Sequence, residues 1–349
     1  MITFNFFGTS HGEGYYGEID GLPQGFTFLV EEVNQQLNER KQGYGRSGRQ
    51  QYQDKVVFEG FTDKVVVKGT LRFFVANHAT NVENRPPITA VRSGHVDLVG
   101  QARHPNMNSR QLNEIASARN SVCYVVLGAI CQLYLKQRGI YTYHYVHKIG
   151  GVTSRNRYRF GVSEKESHFA LLHCPCKFAT GIMQTKIDQA REQGNTLGGV
   201  VYVGATGVPM GLGEVLPYTS RLDAKISANM MGIPSVKGIS FGIGDKYATM
   251  DGLSTLDKLQ VEDNKITYAT NNCGGIVGGI TTGQDILFSL TVKPIPTVSG
   301  AQTIDSVTLQ PTTAHVERAD TCVVPNVGVI AQNILAYVIV DQLLQQDNL

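Results

Sequence analysis

A mixed fold of helices and strands, built as two similar halves within one domain, is predicted by three observations. Apolar runs that read as short strands are interspersed with helical periodicity along all 349 residues, and at 42% hydrophobic the chain can bury a substantial core. The five-residue pattern Gly21-Leu22-Pro23-Gln24-Gly25 returns as Gly207-Val208-Pro209-Met210-Gly211, each copy between a strand and a later helix, which hints at an internal repeat. The 38 glycines cluster in loops beside apolar strands, as in a fold that uses backbone as a binding surface.

Charge and cysteine usage narrow the function classes. A net charge of +2 argues against a nucleic-acid binder that relies on bulk charge, while leaving room for local basic clusters. The six cysteines lie mostly in apolar surroundings and the N-terminus lacks a signal-peptide pattern, so a reducing cytoplasm is expected. Cys174-Pro175-Cys176 matches neither a redox CxxC motif nor a zinc knuckle, and a structural role is expected for it, with no metal. No apolar run approaches 18 residues free of polar groups, so no membrane span is expected.

From the N-terminus, residues 2–7 read as a strand that ends in Gly8-Thr9-Ser10-His11-Gly12, a turn holding an imidazole between two glycines. Residues 17–25 read as a further turn and 26–30 as a strand. The spacing of Val30, Val33 and Leu37 predicts a helix, with Glu31 and Glu32 at its start and Arg40 and Lys41 at its end, as the helix dipole prefers. Arg40, Lys41, Arg46 and Arg49 then stand among glycines with no acid before Asp54, either a solvated basic loop or a cradle for an anion. Strands follow at 55–58, 65–67 and 71–76, and Arg92-Ser93-Gly94-His95-Val96-Asp97 supplies a second histidine beside a glycine. The apolar stretch 115–137 reads as one buried helix opened by Ser117-Ala118-Arg119, where a serine and free amides form either a plain cap or an anion site.

Strands are predicted at 140–147 and 198–205, a helix at 182–194, another at 221–231 and a strand at 239–243. The central stretch is Asn271 to Thr297. Two Gly-Gly pairs, Gly274-Gly275 and Gly278-Gly279, precede a buried strand at 286–292 that delivers Lys293 beside Pro294 and Pro296. It reads either as a loop whose amides approach a phosphate or as a glycine-rich hairpin with a solvated lysine. A charged turn at 317–322 precedes a helix at 329–344, and Asp320 lies where an ordinary capping acid would.

Together these blocks, with IASAR, LGGVVYVGATGVPMGLGE, IPSVKG and VERADTCVVP, resemble the chorismate synthase family, most closely its Gram-positive and actinobacterial form. The resemblance implies an α+β fold with helices sandwiched between antiparallel sheets, a single domain over 1–349, a homotetramer and reduced FMN as cofactor. It implies elimination of phosphate from 5-enolpyruvylshikimate 3-phosphate to give chorismate, with NADPH as a flavin reductant in some members. By matching positions it implies His11, His95 and Asp320 as catalytic groups: donor to the leaving phosphate, donor toward the flavin, and partner in ring-proton removal. Arg40 and Arg46 correspond to arginines facing the substrate or a nicotinamide nucleotide. The FMN positions are Ile115, Ala116, Ser117, Pro234, Ser235, Gly278, Lys293, Pro294, Ile295, Pro296, Thr297 and Arg318. The family usually has Arg where Ile115 stands, which removes one phosphate contact and leaves a non-catalytic flavin- or anion-binding paralogue as the competing expectation.

Overall fold

The computed structural model describes residues 1–47, 52–78, 86–156, 158, 160–166 and 168–346, so Arg49 of the basic loop lies outside the described residues. The first half forms an antiparallel sheet from β1 (Thr3–Gly8), β2 (Gly14–Asp20), β3 (Val56–Phe58) and β4 (Leu71–Ala76), in the order β1-β2-β4-β3. The second half repeats it with β5 (Tyr141–Ile149), β6 (Gly199–Thr206), β7 (Val236–Phe241) and β8 (Ile286–Val292), in the order β5-β6-β8-β7, extended by the two-residue strand Val152–Thr153 beside β5. In both sheets the fourth strand lies between the second and third. The repeated Gly-x-Pro-x-Gly segments both follow the second strand of their half, so the repeat seen in sequence marks equivalent corners.

The helices lie between the sheets. In the first half α1 (Val30–Lys41) packs against β3, and α2 (Val96–Arg103) and α3 (Ser109–Ala116) lead into α4 (Ser121–Lys136), which contacts β2. After α5 (Lys177–Glu192), the second half contributes α6 (Leu222–Met231) against β7 and α7 (Val324–Gln346) against β5 and β6. Helices α4 and α7 touch along their length, and a Cβ on Gly128 would stand 2.3 Å from the Asn333 carbonyl oxygen, so only glycine permits that crossing. A polar seam crosses the same contact: Gln132 donates to Asn333 at 2.8 Å, and Asn333 donates to Gln36 of α1 at 3.2 Å. The stretch Ser109–Lys136 and α7 have the length and hydropathy of membrane spans, yet most of each is buried in the protein, as expected of core helices.

Three elements depart from expectation. Residues 14–20, partly assigned to a turn, are a central strand, because Tyr15 and Ile19 alternate into the core and the missing side chain of Gly17 leaves room for the Phe73 ring, 2.2 Å from where a Cβ would sit. The single helix expected over 115–137 is two helices broken at Ser117, whose extended backbone (φ −64°, ψ 132°) and hydroxyl, accepting from Arg119 N at 3.3 Å, redirect the chain. The last helix begins at Val324, five residues earlier than its apolar spacing suggests, with Pro325 in its first turn.

Candidate active site

His11 follows β1 in a loop pinned by a carboxylate from α3. Glu114 accepts three hydrogen bonds there: from Ser10 Oγ at 2.7 Å, from the His11 amide at 2.8 Å, and from His11 Nδ1 at 2.5 Å. A carboxylate on Nδ1 fixes the tautomer and leaves Nε2 as the remaining ring nitrogen. His95 stands just before α2 and is held the same way, with Nδ1 2.7 Å from Asp97 Oδ1. Asp97 is fully buried and also accepts from Arg92 Nε at 2.8 Å, Arg92 Nη2 at 2.9 Å and the Arg92 amide at 3.0 Å. Burial alone would raise its pKa; the hydrogen bonds from His95 and Arg92 outweigh burial and hold it well below the usual carboxylate range.

Asp320 does not cap α7. It lies four residues before that helix, and its two oxygens accept from Arg46 Nη1 at 2.5 Å and the Ser47 amide at 2.8 Å. Arg40, expected to present its fork to a ligand, is 7% exposed and has committed it: Nη1 donates to Ser121 Oγ at 3.0 Å and Nη2 to Asp54 at 2.9 Å. Asp54 also receives Arg119 at 2.7 Å and Lys41 at 3.4 Å. Burial pulls the Arg40 guanidinium down to about 10, while at Asp54 the cations Arg40 and Arg119 overcome burial and draw the carboxyl down to about 2.

These groups open onto one cavity of about 640 Å³, within the range of small-molecule sites. His11, His95 and Asp320 all line it, although His11 and Asp320 are 309 positions apart in sequence. Six cationic side chains (Arg40, Arg46, Arg92, Arg110, Lys293, Arg318) face three carboxylates (Glu114, Glu317, Asp320), so the lining carries surplus positive charge. Arg318 is exposed to it with no ion-pair partner among the described residues. Lys293 bridges the halves by donating to the Gly94 carbonyl at 2.6 Å. An adjoining chamber of about 500 Å³ shares Arg40, Arg46, Arg318 and Asp320 and adds Tyr52, Asp54, His78 and Arg119.

Of the positions drawn from the family pattern, Ala116, Ser117, Pro234, Ser235, Lys293, Ile295, Pro296 and Arg318 line the cavity together with Arg46. Four positions do not. Ile115 is 56% exposed and outside the lining, Pro294 is exposed beside it, and Thr297 is buried behind it, accepting from Arg92 Nη1 at 3.2 Å. Gly278 turns a hairpin between Ile276–Val277 and Ile280–Thr281, away from the lining. Of the two readings of this stretch the structure favours the hairpin, and Gly274 and Gly275 let protein backbones meet: Cβ atoms there would each lie 2.4 Å from a carbonyl oxygen, of Leu287 and Asp285. Only the Lys293 end of the central stretch reaches the cavity. Sequence reasoning missed Glu114, Asp97 as an acceptor, Arg110, Glu317 and Asn326. The adjacency of Glu114 to the Ile115-to-Arg119 block and the five-residue spacing of Arg92 and Asp97 were the available signals.

A duplicated antiparallel α+β sandwich whose cationic cavity holds two carboxylate-anchored histidines defines a protein that handles an anionic small molecule. The chorismate synthase family model matches residues 2–344. Chorismate synthase of Moorella thermoacetica is 33% identical over 361 residues, covering 99% of this chain and 94% of that protein. The enzyme of Listeria welshimeri is 34% identical over 359 residues, covering 97% and 92%. A solved structure, "Crystal Structure of Chorismate Synthase", superposes with a TM-score of 0.78 at 27% identity over 99% of this chain and 92% of that one. The chain belongs to the chorismate synthase family, a family of lyases in aromatic biosynthesis.

Proposed function

We propose that this chain eliminates phosphate from 5-enolpyruvylshikimate 3-phosphate to give chorismate, with reduced FMN as cofactor. The observation that carries the reading is the convergence of His11, His95 and Asp320 on one cavity with surplus positive charge. The residues present fit a flavin nucleotide with an anionic substrate: Lys293 and Arg318 are cationic donors in a lining with surplus positive charge, suited to phosphate and carboxylate oxygens. Reduced flavin, when bound, supplies the electron density that helps a poorly acidic ring C–H and a phosphate leave together.

The chain's own groups then have separable tasks. His11, with Nδ1 held by Glu114, gives a proton from Nε2 to the departing phosphate. His95, with Nδ1 held by Asp97, keeps Nε2 for proton exchange toward the cofactor. Asp320, oriented by Arg46 and the Ser47 amide, assists removal of the ring proton. Arg46, Arg110 and Arg318 bind the substrate's phosphate and carboxylates, while Arg40 holds the wall beneath them through Asp54. Ile115 stands outside the lining, whose cations are present without an arginine at that position. Anaerobic assay with chemically reduced FMN is the test: phosphate release with chorismate formation is expected, and binding of both ligands without turnover would replace this reading with the paralogue.

The same reading takes residues 1–349 as one domain of a cytoplasmic homotetramer, with NADPH as a candidate reductant for the flavin. Self-association is supported by an apolar row on the outer face of the first sheet, where Phe7, Tyr16, Phe74 and Val57 are successive cross-strand neighbours and Phe7 and Val57 are 66% and 60% exposed. A light-scattering mass of one chain would rule the oligomer out.

A further inference from the structure

We propose that Asn77 is a positioning residue for His11, the clip that closes the turn at 8–12 and sets where the imidazole stands; this rests on the reading that His11 protonates the departing phosphate. Asn77 directly follows β4 and is half-buried beside the turn that ends β1. Its Nδ2 donates to the Thr9 carbonyl at 2.8 Å and to the Gly12 carbonyl at 2.9 Å, so one amide group ties together both ends of the segment that carries Ser10 and His11. The Asn77 backbone N–H donates to the Glu13 carbonyl at 2.9 Å, which continues the pairing of β2 with β4 up to the turn. Asn77 Oδ1 accepts from Arg119 Nε at 2.9 Å. A guanidinium only donates, so the oxygen end faces Arg119 and both amide hydrogens face the two carbonyls. Aspartate has no hydrogen to give them and serine has one, so the partners account for asparagine here.

Arg119 carries the clip into the core. Its other two nitrogens donate to Asp54 at 2.7 Å and to the Ala76 carbonyl at 2.9 Å, so all three are engaged with the protein. Asp54 is fully buried and also holds Arg40 and Lys41, so the turn is anchored through Asn77 and Arg119 to a buried ionic cluster. Glu114 holds the opposite side of the turn from α3, on the ring nitrogen and the His11 amide. The two supports differ in what they fix: Glu114 orients the ring, and Asn77 fixes the backbone on which the ring stands. Asn77 lines the adjoining chamber and not the main cavity, and both of its amide hydrogens are committed to the turn, so it acts through His11 and not on the substrate. A misplacement of about 1 Å costs up to about a hundredfold in rate, which sets the scale of the expected effect.

The experiment measures kcat and KM for phosphate release, under anaerobic conditions with reduced FMN, in wild type, Asn77→Ala, His11→Ala and the double variant. Hydrogen–deuterium exchange of the peptide spanning the turn is followed alongside. Asn77→Ala is expected to lower kcat about tenfold to a hundredfold with KM within about twofold of wild type, and to speed amide exchange at His11 and Gly12. The double variant should be no slower than His11→Ala alone. A clip that serves folding only gives a lower melting temperature and faster exchange with wild-type kcat, and that result overturns the proposal. Losses that multiply in the double variant also overturn it, because Asn77 then acts on something other than His11. Asn77→Asp, which keeps an oxygen for Arg119 and removes both donors, carries the same comparison should the alanine variant not fold. No turnover in wild type, or wild-type turnover in His11→Ala, overturns the functional reading and this proposal together; a slow His11→Ala beside an unaffected Asn77→Ala overturns this proposal alone.

Discussion

Replacing Glu114 by glutamine removes one negative charge from the His11 loop while keeping the side chain's length and shape. Glu114 now accepts from Ser10 Oγ, the His11 amide and His11 Nδ1 at 2.7, 2.8 and 2.5 Å. A hydrogen bond to a charged group contributes about 1.5–3 kcal/mol and a neutral one about 0.5–1.5. Converting the His11 contact from the first kind to the second therefore removes about 1–1.5 kcal/mol from the contact that orients the ring, close to the 1.36 kcal/mol that corresponds to a factor of ten in rate. Glu114→Gln should accordingly lower kcat about tenfold. Glu114→Ala, which releases all three contacts, should lower it about a hundredfold, still within the 10²–10⁴ range of a general acid. Because Glu114 acts only through His11, the double variant Glu114→Gln/His11→Ala should be no slower than His11→Ala alone. The assay is single-turnover phosphate release under anaerobic conditions with reduced FMN, beside a thermal melt of each variant. Wild-type turnover in Glu114→Gln, or losses that add in the double variant, would refute the coupling.

Further outcomes follow from the same geometry. His11→Ala, His95→Ala and Asp320→Asn should each lower kcat by about 10²- to 10⁴-fold with FMN affinity and melting temperature nearly unchanged, and intact turnover in all three would end the catalytic assignment. Arg46→Ala should act chiefly on KM, raising it tenfold or more, because it removes a cation of the cavity lining; steady-state kinetics with unchanged KM would show that Arg46 serves only as the partner of Asp320. Asp54→Asn strips the counter-charge from buried Arg40 and Lys41 and should cost about 3–5 kcal/mol in denaturant unfolding. Since the folded Asp54 carboxyl lies at about 2 against an ordinary 3.8, the unfolded chain binds its proton first as pH falls. That group's contribution, about 2 kcal/mol, is complete above about pH 4 and lost as pH falls through 2; the slope of stability against pH should differ between wild type and Asp54→Asn only in that window, with the variant the less stable above it. Gly128→Ala should destabilise by about 1–3 kcal/mol by pushing α4 from α7, and an unaltered melting temperature would show that the crossing has slack.

Strand β8 and helix α1 were legible because their signals are local: a continuous apolar run in one, acids at the start and bases at the end in the other. Helices α2 and α3 were not, since each has eight residues and the intervening segment with Pro105 and Asn108 looks like loop. The two histidines stood out by their glycine neighbours, whereas Glu114 and Asp97 are ordinary acids until folding places them on an imidazole nitrogen. Glycine was ambiguous at 274 and 275, because a missing Cβ reports that something comes close without saying whether it is a ligand or the protein's own carbonyl. Arg40 misled for a related reason: its basic neighbourhood is visible in sequence, and the buried Asp54 that occupies its fork is fourteen residues away.

The duplicated architecture carries a consequence for synthesis. Each sheet is assembled from a contiguous stretch of chain, residues 3–76 and 141–292, so each can pair its own strands as it emerges. The cavity cannot be assembled so early. Arg318, Asp320 and Asn326 arrive after both sheets, and Asn326 on the last helix reaches back to the end of the first one at Arg40. A chain stopped short of residue 318 could hold both sheets and bind nothing, so ligand affinity reports completion of the polypeptide where secondary structure does not.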